Sequence, residues 1–114
     1  MPQGVLVIAE MAGDGLRKVS FEAASEAKRI ADQVGGGMCA LVMGTAPETV
    51  TESLAGYGAD KIFTVVDAAL SDYRMDAFAS AAAAVVKDID PAVVMIGASV
   101  WGKELGARLS ARLD

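Results

Sequence analysis

The sequence predicts an α/β fold: a three-layer sandwich with a mostly parallel, doubly wound sheet. Three observations predict it. Four short apolar runs, around Val5-Leu6-Val7-Ile8, Met38 to Met43, Lys61 to Val66 and Val93-Val94-Met95-Ile96, read as strands, and the most continuous of them must be dry on both sides. Each run is followed by a turn and a stretch with helical spacing, so strand and helix alternate four times. The repeat is roughly thirty residues or less, the scale of a right-handed βαβ unit. A doubly wound sheet reverses beside its first strand, so the expected strand order is 3-2-1-4.

The first strand spans Gly4 to Ala9 and ends in Glu10. Met11-Ala12-Gly13-Asp14-Gly15 makes a glycine-rich turn, and Ser20 is placed to cap a helix that runs to about Val34. Phe21, Ala24, Ala27, Ala31 and Val34 form its inward stripe, and Gly35-Gly36-Gly37 stops it. After the second strand, Thr45-Ala46-Pro47-Glu48 has the spacing of a capping box with proline in the first turn, opening a short helix to about Ala55. Tyr57-Gly58-Ala59-Asp60 turns into the third strand, whose β-branched and aromatic residues end at Asp67. An alanine-rich helix from Arg74 to about Asp88 follows, with Phe78, Val85 and Ile89 inward, and Pro91 bars its continuation. Gly97-Ala98-Ser99 leads from the fourth strand to a helix starting at Trp101. There Leu105, Leu109 and Leu113 recur every four residues beside a charged line of Glu104, Arg108 and Arg112.

Composition narrows the function. A chain of 114 residues that is 54% hydrophobic, with no apolar run of membrane-spanning length, is expected to form one globular domain, residues 1–114. Met1-Pro2-Gln3 lacks a basic region followed by an apolar one, so no signal peptide is expected, and a cytoplasmic or matrix-like compartment follows. The single Cys39 sits in an apolar run and is expected to be an inert buried thiol. A net charge of −5 argues against a nucleic-acid partner and against an anionic membrane surface. With no histidine in the chain, serine-histidine and cysteine-histidine catalysis are excluded and the commonest zinc ligand is missing. The outer side of the fourth strand has no later strand to cover it. The chain is therefore expected to be cut from a longer protein, or to meet a partner along that edge.

Open α/β sheets bind ligands beyond the carboxyl ends of their strands, which here means Glu10, Gly44 with Thr45, Asp67, and Gly97 through Lys103. Gly97, four residues, Gly102 and Lys103 match the phosphate-cradling P-loop up to its last position. That position holds Glu104 instead of the serine or threonine that binds magnesium, and the loop follows the fourth strand, so triphosphate chemistry is not expected. A nucleotide-binding module similar to universal stress proteins is the alternative, with Gly97, Ser99, Gly102 and Lys103 at the phosphate. Nothing in the spacing pairs Glu10, Asp14 and Asp67, so solvated loop carboxylates are expected, with no metal site and no catalytic residue. Trp101 and Tyr57 have the rings to stack on a ligand, but a single tryptophan at a helix start reads as a packing or interface anchor.

Taken in order, Val5-Leu-Val-Ile-Ala-Glu10, Gly15-Leu16, Tyr57-Gly-Ala-Asp-Lys-Ile62 and the run Gly97-Ala-Ser…Gly102-Lys-Glu-Leu…Arg108-Leu…Arg112-Leu113 resemble the amino-terminal domain of the electron transfer flavoprotein alpha subunit. Two positions depart from the family pattern: Met11 stands where a histidine is frequent, and Ala107 where a proline commonly precedes the arginine. The resemblance implies an adenine-nucleotide alpha-hydrolase-like fold and a heterodimer in which alpha and beta subunits carry FAD between them. It further implies electron flow from acyl-CoA-type dehydrogenases, as in fatty acid beta-oxidation, to a quinone oxidoreductase. In that family the alpha subunit's carboxy-terminal domain holds most of the flavin, so no flavin-binding residue is assigned here. The beta subunit's related domain binds AMP, and this domain is expected to be the form without nucleotide, with Glu10 and Glu104 where phosphate would lie.

Overall fold

The computed structural model describes residues 4–12, 15–44, 50–66, 70 and 75–113. The elements are β1 (Val5–Ala9), β2 (Met11–Ala12), β3 (Gly15–Leu16), α1 (Lys18–Val34), β4 (Met38–Gly44), α2 (Thr51–Gly56), β5 (Lys61–Val66), α3 (Met75–Ile89), β6 (Val93–Ile96) and α4 (Val100–Leu113). The main sheet has four strands in the order β5-β4-β1-β6, all parallel. Counting only those strands, this is the expected third-second-first-fourth order. The difference is an added antiparallel hairpin, β2 with β3, within the glycine-rich turn after β1.

β1 lies at the centre, pairing Val5 with Met38 on one side and with Val93 on the other. Successive side chains of a strand point to opposite faces, so β1 feeds two cores. Val5, Val7 and Ala9 pack under α1 and α2 with Ala23, Ala24, Ala27, Ala31 and Leu54. Leu6 and Ile8 pack under α3 and α4 with Phe78, Ala79, Ala82, Trp101, Leu105 and Leu109. The three layers are therefore helices, sheet and helices, as the double-sided apolar runs require.

Several local expectations change. α1 begins at Lys18 with Arg17 in the N-cap position, and no side chain caps it. Ser20 is buried inside the first turn, where it bonds to the backbone of Glu10. Val34 is 59% exposed, because the buried stripe ends at Ala31, where Gly35 N–H closes on the Ala31 carbonyl. Phe21 is half-buried at the flank of that stripe and lies against Tyr57, ring centres 4.9 Å apart. Gly35, Gly36 and Gly37 all have positive φ, which explains why three glycines end this helix.

The capping-box residues Thr45 to Glu48 lie outside the described residues, as do Asp67 and Arg74. α2 is described from Thr51, with Val50 in its N-cap position. Val85, Ile89 and Leu113 are half-buried at the rim of the α3–α4 core. β6 is half-buried along its length where full cover was expected, since among the described strands it pairs only with β1. Cys39 is likewise half-buried. Desolvation raises its thiol pKa, with a further push from the Asp60 carboxylate and a smaller opposing pull from Lys61. No helix among the described residues is long and apolar enough to cross a membrane.

Candidate functional site

A doubly wound sheet opens a crevice where its connections leave in opposite directions. Here that switch point lies between β1 and β6. The connection after β1 leads to α1 on one face of the sheet, and the connection after β6 leads to α4 on the other. Glu10 begins the first and Ser99 ends the second, immediately before α4.

Glu10 is the centre of the site and is only 8% exposed, so the expectation of a solvated loop carboxylate is corrected. Each of its polar groups is engaged. Its amide donates to Ser20 Oγ at 2.7 Å, and Ser20 Oγ in turn donates to the Glu10 carbonyl at 3.3 Å. The Arg17 amide donates to the same carbonyl at 3.0 Å. On the side chain, Ser99 Oγ donates to Oε1 at 2.5 Å and Arg17 Nε pairs with Oε2 at 2.9 Å. A buried carboxylate is costly unless paired and hydrogen-bonded, and Glu10 meets both conditions. With both oxygens in use it is a structural acceptor, not a free general base.

Ser99 faces two ways. Its hydroxyl accepts from Gly102 N–H at 3.0 Å while donating to Glu10, and its carbonyl accepts from Lys103 N–H at 2.9 Å. That is the geometry of a helix N-cap. The cap is thus linked through one hydroxyl to the end of the central strand.

The two glycines of the P-loop-like spacing have packing roles. A Cβ on Gly97 would lie 2.8 Å from Val19 Cγ2, and one on Gly102 would lie 2.0 Å from the Gly97 carbonyl oxygen. Neither glycine has a positive φ. They let α1 cross over the end of β6 and let α4 start tight against that strand.

The structure brings Gly97, Ser99 and Gly102 together and leaves Lys103 exposed, without an ion pair to any described residue. Glu104 does not enter the crevice. It pairs with Arg108 one turn along α4 at 3.3 Å, and Arg108 also reaches Asp76 on α3. Glu104 is thus turned along α4, away from the switch point where it was expected, whereas Glu10 is buried there and bonded to Ser99. Asp14 and Asp67 lie outside the described residues. Trp101 is buried at the start of α4 with its ring edge-on to Phe78, centres 5.5 Å apart. No group of three or more metal-ligating side chains occurs among the described residues.

Arg17 and Ser20 were not singled out in the sequence as partners of Glu10. Ser99 carries a readable signal, a serine immediately before a helical repeat. Nothing in the spacing marks Arg17.

A parallel, doubly wound α/β domain whose switch point is closed by its own carboxylate defines a class of domain with nucleotide-binding architecture but an internal anion at the centre. The chain belongs to the electron transfer flavoprotein domain family, which matches it over residues 5–114. It is 34% identical to Protein FixB of Clostridium saccharobutylicum over 112 residues, covering 98% of this chain and 33% of that protein. It is 35% identical to the acryloyl-CoA reductase electron transfer subunit beta of Anaerotignum propionicum, covering 96% of this chain and 30% of that one. It is 31% identical to the electron transfer flavoprotein subunit alpha of Bacillus subtilis, over 100% of this chain and 34% of the relative. The chain therefore spans about a third of the length of these relatives, two of which are named as electron transfer subunits.

Proposed function

We propose that residues 1–114 act as the amino-terminal, non-catalytic scaffold domain of an electron transfer flavoprotein alpha subunit. The domain packs on a beta subunit and helps frame an FAD held elsewhere in the heterodimer. Electrons pass through that FAD from acyl-CoA-type dehydrogenases toward a quinone oxidoreductase, in a bacterial cytoplasm or a mitochondrial matrix. The observation that carries this reading is the Glu10–Ser99 link across the switch point, within a chain that matches the family from residue 5 onward.

The residues at the crevice do not suit the pyrophosphate of a dinucleotide. Where such a ligand needs amide donors and no negative charge, the end of β1 presents a buried carboxylate. The outer side of β6, which pairs with no other strand among the described residues, supports a place for protein contact, since a parallel strand with bare backbone groups is completed by pairing or cover.

Titrating the chain with FAD tests the reading. Flavin fluorescence and absorbance should remain those of free FAD, and tight stoichiometric binding would overturn the assignment. Calorimetry with AMP and ATP addresses the nucleotide-module alternative at Gly97, Ser99, Gly102 and Lys103. Micromolar affinity lost in Lys103→Ala would favour that module, and no heat at millimolar nucleotide would remove it.

A further inference from the structure

We infer that the bare edge of β6 takes an added strand from a partner chain, an extended segment that is apolar along Val93–Ile96 and carries carboxylates where it passes Gly97. The inference rests on the scaffold reading above, to whose protein contact it gives a partner chemistry.

The edge itself is the first support. Among the described strands β6 pairs only with β1, so one row of its backbone N–H and C=O groups has no strand partner. Exposed edges are ordinarily blunted by a charged side chain, a proline or a bulge. β5, at the other side of the sheet, follows that rule with Lys61 exposed. Val93, Val94, Met95 and Ile96 carry no such device, and all four are half-buried. The α4 side leaves room for a neighbour, because Gly106 sets no side chain over the strand: a Cβ there would meet only Ile96 Cδ1, at 3.9 Å.

Charge is the second support, and it sets the chemistry of the partner. Val19 of α1 and Gly102 of α4 both abut Gly97, the residue immediately past β6. Their neighbours Lys18 and Lys103 are therefore placed on opposite faces of the sheet at that end of the strand. Both are exposed, and neither has an ion pair to a described residue. The carboxylates of Glu10 and Glu104 are already engaged, by Arg17 and by Arg108. An added strand makes its backbone hydrogen bonds whatever its sequence, so side chains decide which segment is taken. Two lysines flanking one end favour carboxylates there and disfavour a basic segment. A second copy of this chain fits less well. A two-fold axis pairing β6 with β6 would set Gly97 against the start of the other β6, where exposed Lys87 and Arg112 offset exposed Asp88 and Asp90.

The test is a set of amide NMR titrations with synthetic peptides of alternating valine and threonine that end in two aspartates, two asparagines or two lysines. Placing the terminal pair at either end of the peptide covers both strand directions. Sedimentation first gives the association state of the chain alone, which should be monomeric. The aspartate peptide should give saturable shifts concentrated at Val93 to Gly97, with affinity about fivefold or more above the asparagine peptide. High salt should erase that advantage, and the lysine peptide should bind most weakly. Reversing the charge at the two exposed positions, Lys18→Glu with Lys103→Glu, should invert the order of the peptides while circular dichroism and the melt stay unchanged. No binding by any peptide, equal binding by all three, or shifts centred away from β6 would overturn the inference and leave the scaffold reading, tested by FAD, standing. A concentration-dependent dimer with its shifts at β6 would also overturn it, in favour of a second copy.

Discussion

Gly102→Ala is the most direct test of the claim that the glycines of the β6–α4 turn serve packing. Gly102 lies inside α4, where alanine is intrinsically better than glycine by about 1 kcal/mol. Helix propensity alone therefore predicts stabilisation. The added Cβ, however, would lie 2.0 Å from the Gly97 carbonyl oxygen, against the 3.0 Å below which real Cβ atoms essentially never approach backbone. The start of α4 or the end of β6 must move by about 1 Å, and the obstructing atom is main chain, so no rotamer change relieves it. Overpacking of this kind costs about 1–3 kcal/mol, and more where the backbone must shift. Losing the Gly102 N–H bond to Ser99 Oγ adds to it. The net expectation is destabilisation by about 2 kcal/mol, a drop in Tm of roughly 6–10 °C for a domain of this size. Gly106→Ala in the same helix is the control. Its Cβ would meet nothing nearer than Ile96 Cδ1 at 3.9 Å, so it should raise stability by about 0.5–1 kcal/mol. Urea melts followed by circular dichroism measure both. A Gly102→Ala domain as stable as wild type would refute the packing account and return those glycines to a ligand-binding explanation.

Three further outcomes are expected. Ser20→Ala should destabilise by about 1–3 kcal/mol in denaturant melts, because it leaves the buried Glu10 amide without its 2.7 Å acceptor. Phe78→Ala should cost about 3–5 kcal/mol and should also red-shift Trp101 fluorescence, since it removes the ring packed edge-on against the indole. Cys39 has a pKa raised by burial first and by Asp60 second, so the folded state holds the thiol proton more tightly than the unfolded chain. Its contribution to stability is complete below the ordinary thiol range and is lost as pH rises through the folded value. Urea melts above that range should show a steeper loss of stability with pH in wild type than in Cys39→Ala, and iodoacetamide should label the folded chain more slowly than the urea-unfolded one.

The fold was legible because its determinants are local. Val5-Leu6-Val7-Ile8 cannot be half-wet, and Leu105 and Leu109 mark one face of α4 without help from the rest of the chain. The site was less legible because it is assembled by topology. Glu10 after an apolar strand reads like any loop carboxylate, and Ser99 stands 89 residues further on. Only the pairing of β1 with β6 brings them together. Ser20 misled for a related reason: a serine near a helix start has the chemistry of a cap, but two residues inside the helix its hydroxyl turned to the backbone of Glu10. Val34 fell outside the core because the period that places it inward runs out at Ala31.

The central position of β1 also sets an order of events during synthesis. Its partner on one side, Met38, leaves the ribosome soon after Val5, while its partner on the other, Val93, emerges close to the end of the domain. The longer closure adds less than about 1 kcal/mol of chain entropy, so the delay is one of timing rather than equilibrium. At about 5–20 residues per second, β1, β4 and β5 can pair seconds before β6 appears. For that interval the strand that ends up most deeply buried is an apolar edge open to any other strand in reach. Nascent chains of this domain are therefore most exposed to mispairing between the emergence of β5 and the arrival of β6.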